Sequence, residues 1–86
     1  MKPIVLIGHR HVCPLHGPNT VVVSGAPGAD FGGRAVARVG DKTSCGATII
    51  SGAGSASIGG QAIARVGDRT DHGGTLVEGE AGILLD

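Results

Sequence analysis

Aromatic side chains are almost missing from this chain of 86 residues: it has no Trp, no Tyr and one Phe, Phe31. The large buried areas that rings supply to a small core are therefore absent. Net charge is missing too, with seven basic residues against seven acidic ones. That excludes nucleic-acid binding driven by a basic face. No apolar run approaches the ~18 residues of a membrane span. The longest near the start, Ile4–Ile7, stops at Gly8, short of a signal-peptide core of about 7–15 residues. There are two cysteines and no CxxC pair, so neither a zinc ribbon nor a thioredoxin-type redox motif is written here. These absences lead us to expect a chain made in a reducing cytosol, without a signal peptide, whose cysteines serve as ligands or free thiols. A segment of ten or more residues with helical periodicity is also lacking.

Glycine is what the chain has in plenty, at 17 residues. Each glycine raises the entropy lost on folding. A chain this short is one domain at most, here residues 1–86, and cores of this size rarely leave more than about 3–5 kcal/mol of net stability. Something besides burial should hold it in shape.

The strongest pattern is an internal repeat. "SGAPGADFGGRAVARVGDKTSCGATIISG" begins at Ser24, and "SGAGSASIGGQAIARVGDRTDHGGTLVEG" begins at Ser51, an offset of 27 with no gap. A partial third copy, "HGPNTVVVSG", places His16 in the slot of Cys45 and His72 with two extra residues. The end, "EAGILLD", resembles the start of a further copy. "TVVVSG", "ATIISG" and "TLVEG" read as strand then turn. "RAVARVGD" and "QAIARVGD" alternate with a period of two, again strand. The expected fold is all-β, with short strands and tight turns in approximate three-fold symmetry, because one such unit cannot bury its own apolar face.

Symmetry makes His16, Cys45 and His72 face one axis. Tetrahedral zinc needs four ligands, and the fourth is available from His9, His11 or Cys13 in the one turn that differs. Mixed His and Cys donors suit zinc and disfavour calcium or magnesium. The recurring Arg38/Asp41 and Arg65/Asp68 pairs read as turn geometry with local ion pairs rather than catalysis. "GAPGADFGG" lacks the ending of a phosphate loop.

"GGRAVARVGDKTSCG" and "GGQAIARVGDRTDHGG", together with "HVCP", resemble the PAAR-repeat family, named for Pro-Ala-Ala-Arg. The slots here read Ala35–Arg38 and Ala62–Arg65. The resemblance implies a conical β fold that caps the valine–glycine-repeat (VgrG) spike trimer of type VI secretion systems. It implies a structural zinc near the vertex held by His11, His16, Cys45 and His72, with Cys13 a non-ligand and His9 matching nothing and exposed. The implied role is non-enzymatic: the cone sharpens the spike for membrane puncture and effector delivery, with no effector extension of its own. The wide base would dock on the spike and extend its β-helix. The chain would reside in the cytoplasm when assembled and then be secreted or translocated by the machine, meeting the target membrane transiently. A contractile phage tail or related injection machine is the alternative setting. A small zinc hydrolase with Asp71 as its base is the alternative of a different class, and four protein ligands would close the metal against it.

Overall fold

The computed structural model describes residues 1–85. Nine short strands and no helix are found among them: β1 Lys2–Ile4, β2 Arg10–Cys13, β3 Gly17–Val21, β4 Asp30–Phe31, β5 Arg34–Ala35, β6 Ser57–Ile58, β7 Gln61–Ala62, β8 Thr75–Leu76 and β9 Glu80–Leu85. The all-β expectation is met. The strands are shorter than the runs of alternating residues, and the reason is the winding. In "RAVAR" only Arg34 and Ala35 belong to a hairpin strand; the next residues pair with a different repeat. Leu6 bridges Val36, Arg38 bridges Ile63, and Ile4 bridges Arg65. Three chain segments thus close on one another in a ring. Within it Val5 N–H donates to Ala64, Ala64 N–H to Ala37, and Ala37 N–H to Val5, at 2.8–3.0 Å.

The core follows from this closure. Val5, Ala37 and Ala64 form one layer, and Val22, Ile49 and Leu76 form the next; all six are fully buried. Two alanines stand in the tighter layer because three backbones meet there. The residues after the second layer, Val23, Ile50 and Val77, point outward and are about half exposed, as a period of two requires. Gly25, Gly52 and Gly79 occupy equivalent slots beside the neighbouring strand. A Cβ on Gly52 would stand 2.9 Å from the carbonyl oxygen of Ile63, and one on Gly79 2.6 Å from Val66 Cγ2. Glycine is there for close backbone approach.

The third repeat is assembled from both chain ends. β4 pairs β5 and β6 pairs β7 as hairpins turned by Gly32–Gly33 and Gly59–Gly60. β9 pairs β1 in the same way, Pro3 opposite Leu84 and Lys2 opposite Leu85. Lys2–His9 therefore aligns without a gap on Arg34–Asp41 and Gln61–Asp68. The bonding agrees at each turn: Gly8, Gly40 and Gly67 donate to Val22, Ile49 and Leu76, all at 2.8 Å.

The alignment explains His9, which is buried at 6 % exposure rather than exposed. It fills the slot of Asp41 and Asp68. Those carboxylates accept the backbone N–H of Arg38 at 2.8 Å and of Arg65 at 2.6 Å; His9 Nδ1 accepts that of Leu6 at 3.0 Å. Arg34 Nη2 lies 2.6 Å from Nε2. Burial, then Arg34, hold the His9 pKa below 6.5 against the opposing pull of Glu78 and Glu80. The unfolded chain thus binds the proton more tightly. Stability from this group is full above pH 6.5 and is lost as pH falls through the lower folded value. His9→Asn, which keeps an acceptor for Leu6, is expected to melt at a fixed offset from the parent above pH 6.5 and to gain on it below. Thermal melts from pH 8 to 5 measure this; an offset that does not change with pH contradicts it.

Candidate metal centre

Three repeat turns meet at one end of the core. Thr43 and Thr70 start two of them in the same way. Each accepts the N–H of the residue four positions on, Ala47 or Gly74, at its hydroxyl, and each receives a turn bond from Gly46 or Gly73 at its carbonyl. These turns present Cys45 and His72. The third turn begins at Cys13, the last residue of β2. It is then extended, because Val22 follows Cys13 by nine positions, whereas Ile49 follows Cys45 and Leu76 follows His72 by four. The added length carries Pro14, an exposed Leu15 and His16, with His16 N–H bonded back to the Cys13 carbonyl at 3.2 Å. A three-fold arrangement supplies three donors, and the longer turn supplies a fourth.

Cys13, His16, Cys45 and His72 form a group whose donor atoms all lie within 4.8 Å of one another. Cys13 Sγ stands 3.5 Å from His16 Nδ1 and 3.7 Å from His72 Nδ1, and Cys45 Sγ stands 3.8 Å from the same His72 atom. The His16 and His72 rings are 5.8 Å apart at their centroids. Two sulfurs and two imidazole nitrogens suit a soft or borderline transition ion, not calcium or magnesium. Thr43 Oγ1 lies 3.2 Å from Cys45 Sγ. Since that oxygen already accepts from Ala47, its own hydrogen is free to donate to sulfur. Burial works against the Cys45 thiolate, but hydrogen bonds involving Thr43, the Ala47 backbone, His72 and Cys13 outweigh it and bring the pKa from 9.0 to about 6. A cysteine so placed is ready to bind metal as thiolate.

Of the four ligands expected from sequence, His16, Cys45 and His72 come together here. His11 does not join them, and Cys13 stands in its place. His11 is fully buried, with Nδ1 3.0 Å from Thr20 Oγ1 and Nε2 2.9 Å from Thr70 Oγ1. The Thr20 hydroxyl donates to the His11 carbonyl at 2.5 Å, so its oxygen accepts from Nδ1–H. The Thr70 oxygen accepts from Gly74, so its hydrogen goes to Nε2. Both ring nitrogens thus have hydrogen-bond partners away from the four grouped donors. Burial first, then His72, lowers the His11 pKa below 6.5, as expected of a neutral ring. His11 occupies the slot of Thr43 and Thr70, and its bulk fits because Gly74 has no Cβ to meet it.

The signal for Cys13 was in the sequence. Aligning backward from "RVGDKTSC" onto "LIGHRHVC" puts Cys13 in the slot of Cys45 without a gap, at an offset of 32. Asp71, the candidate base of a hydrolase, accepts the Thr48 N–H at 2.8 Å and so helps build its turn.

No curated protein matches the chain. A family model for the PAAR motif matches it over residues 1–51 and again over 48–78. With its closed three-fold winding and its four convergent His and Cys side chains, the chain belongs to the PAAR motif family.

Proposed function

We propose that this chain is a metal-stapled, non-enzymatic tip protein that caps the VgrG-type spike trimer of a type VI secretion system, and that the metal is one zinc ion held by Cys13, His16, Cys45 and His72. A tetrahedral zinc with Zn–S about 2.3 Å and Zn–N about 2.0–2.1 Å has sulfur–nitrogen edges of about 3.5 Å. The separations of 3.5, 3.7 and 3.8 Å fit those edges with small adjustment. Four protein ligands close the ion against substrate, which favours a structural role over hydrolysis. Bound zinc would tie all three repeats together where the hydrophobic core ends.

The observation that carries the capping role is the closed ring through Val5, Ala37 and Ala64, in a member of the PAAR motif family. One chain presents nearly the same backbone three times, as a partner of three identical subunits requires. Each repeat runs from its metal turn out to a hairpin and back. The hairpin ends carry equivalent apolar residues, Phe31, Ile58 and Leu85, of which Ile58 and Leu85 pack against the cluster of Ile4, Leu6 and Val36 while Phe31 is exposed. This end, remote in each repeat from the metal turn, is the proposed docking base, with backbone edges available to extend the strands of the spike. The opposite end is the point that meets the target membrane. The protein would ride from the cytoplasm on the spike, with or without separate effector cargo.

Co-purification with a VgrG-type trimer tests the reading. One copy of the chain per spike trimer is expected, and Phe31→Asp combined with Ile58→Asp should weaken capture at least about ten-fold by breaking apolar contact at two of three positions. Absence of binding, or three copies per trimer, would overturn it. A contractile tail from a phage is the same role in another machine, and binding to a tail-spike trimer but not to VgrG would identify it.

A further inference from the structure

We infer that Cys13 and Cys45 are also a thiol-oxidation site, at which a low-molecular-weight disulfide converts the two cysteines into an internal disulfide and expels the metal. The metal part of this inference rests on the zinc reading above; the sulfur chemistry rests on the two thiols alone. Their Sγ atoms lie within 4.8 Å of each other, and a disulfide needs about 2.05 Å. Less than 3 Å of approach is required, by side chains on the last residue of β2 and on a turn. His72 Nδ1 is close to both sulfurs, at 3.7 and 3.8 Å. A set with a single cysteine has no such option.

The two cysteines are not equivalent, and this orders the steps. Cys45 is partly exposed, while Cys13 is buried at 1 % exposure. Cys45 therefore meets the oxidant, RSSR. Its thiolate attacks one sulfur, a Cys45–SR bond forms, and RS⁻ leaves and takes a proton from water to become RSH. Cys13 then attacks the Cys45 sulfur. The Cys13–Cys45 bond forms, and the second RS⁻ leaves and takes up a proton, from the Cys13 thiol in the metal-free chain or from water where Cys13 was a metal-bound thiolate. Two cysteine sulfurs are oxidised by two electrons in total, and RSSR is reduced to two RSH. With both thiolates consumed, only His16 and His72 remain of the four donors, too few for a structural zinc site. A reductant reverses the change. A tip built this way holds its staple in reducing surroundings and gives it up in oxidising ones.

The experiment treats the full chain, zinc-loaded and zinc-stripped, with oxidised glutathione. It reads intact mass together with zinc release to a chromogenic chelator. The parent is expected to become two hydrogens lighter and to release one zinc per chain. The stripped protein should react at least about ten-fold faster, because metal occupies the thiolates. Cys13→Ser should accumulate a glutathione adduct on Cys45, and Cys45→Ser should react slowly or not at all. A stable glutathione adduct in the parent, or disulfide-linked dimers alone, would overturn the inference. A zinc-bound parent that stays reduced would overturn it while leaving the zinc reading intact. An internal disulfide in a chain that never binds zinc would uphold the sulfur chemistry and overturn the zinc reading.

Discussion

Cys13→Ala is expected to abolish stoichiometric zinc and to lower the melting transition far below that of the parent. His11→Gln is expected to keep one zinc per chain and to melt only somewhat lower. The first effect is large because the core is small. Its largest fully buried apolar side chains are Leu6, Ile49 and Leu76, and no ring lies among them. A core of this kind leaves about 3–5 kcal/mol, whereas a structural zinc contributes on the order of 10–16 kcal/mol. Losing one of four ligands removes the closure that ties the three repeat turns together at this end of the core. His11 acts differently. Its ring nitrogens bond the hydroxyls of Thr20 and Thr70, and a glutamine restores part of that pattern, so the cost is that of an imperfect buried hydrogen bond, about 1–3 kcal/mol. Elemental analysis and thermal melting of the two variants side by side check the contrast. Loss of zinc in His11→Gln with retention in Cys13→Ala would reverse the assignment.

Asp68→Ala is expected to cost about 3–5 kcal/mol, the range for breaking one side of a buried ion pair. Asp68 is 4 % exposed. It accepts the Arg65 backbone N–H at 2.6 Å, the Ser51 hydroxyl at 3.1 Å and the Arg65 guanidinium at 3.1 Å. Alanine leaves these donors facing a void. Asp41→Ala, at the equivalent turn, should cost less. Its contact with Arg38 Nε is longer, at 3.7 Å, although its bonds to Arg38 N–H and Ser24 are the same in kind. Denaturant melts of the two variants should separate them in that order. Equal losses would mean that the turn bonds, not the guanidinium, set the cost.

Much of this was legible in the sequence because repetition writes structure twice. The 27-residue offset announced three-fold packing, and the glycine-ended β-branched runs announced short strands. The adjacent apolar pairs in "TIISG" and "TLVEG" left open which member faces inward; the structure buries Ile49 and Leu76 and exposes Ile50 and Val77. What the sequence obscured was the first repeat, where three substitutions coincide. Leu6 stands where Arg38 and Arg65 stand, His9 where the aspartates stand, and His11 where the threonines stand. With those landmarks replaced, Lys2–Cys13 did not read as a repeat at all, and His9 looked like a surface residue. The physical roles were kept by other atoms. His9 Nδ1 does the work of a carboxylate oxygen at the turn, and Glu78 accepts the Arg10 N–H at 2.9 Å, as Ser24 and Ser51 accept those of Lys42 and Arg69. The hydrophobic alternation also overstated strand length, since it reports which side faces inward and not which neighbour a residue bonds.

The central claim is a metal held by two sulfurs and two nitrogens from three repeat turns. Zinc K-edge X-ray absorption on the purified, untagged chain tests it most directly. The account predicts two sulfur scatterers at about 2.3 Å and two nitrogen scatterers at about 2.0–2.1 Å. A shell of one sulfur and three nitrogens would put His11 at the metal in place of Cys13 and contradict the account.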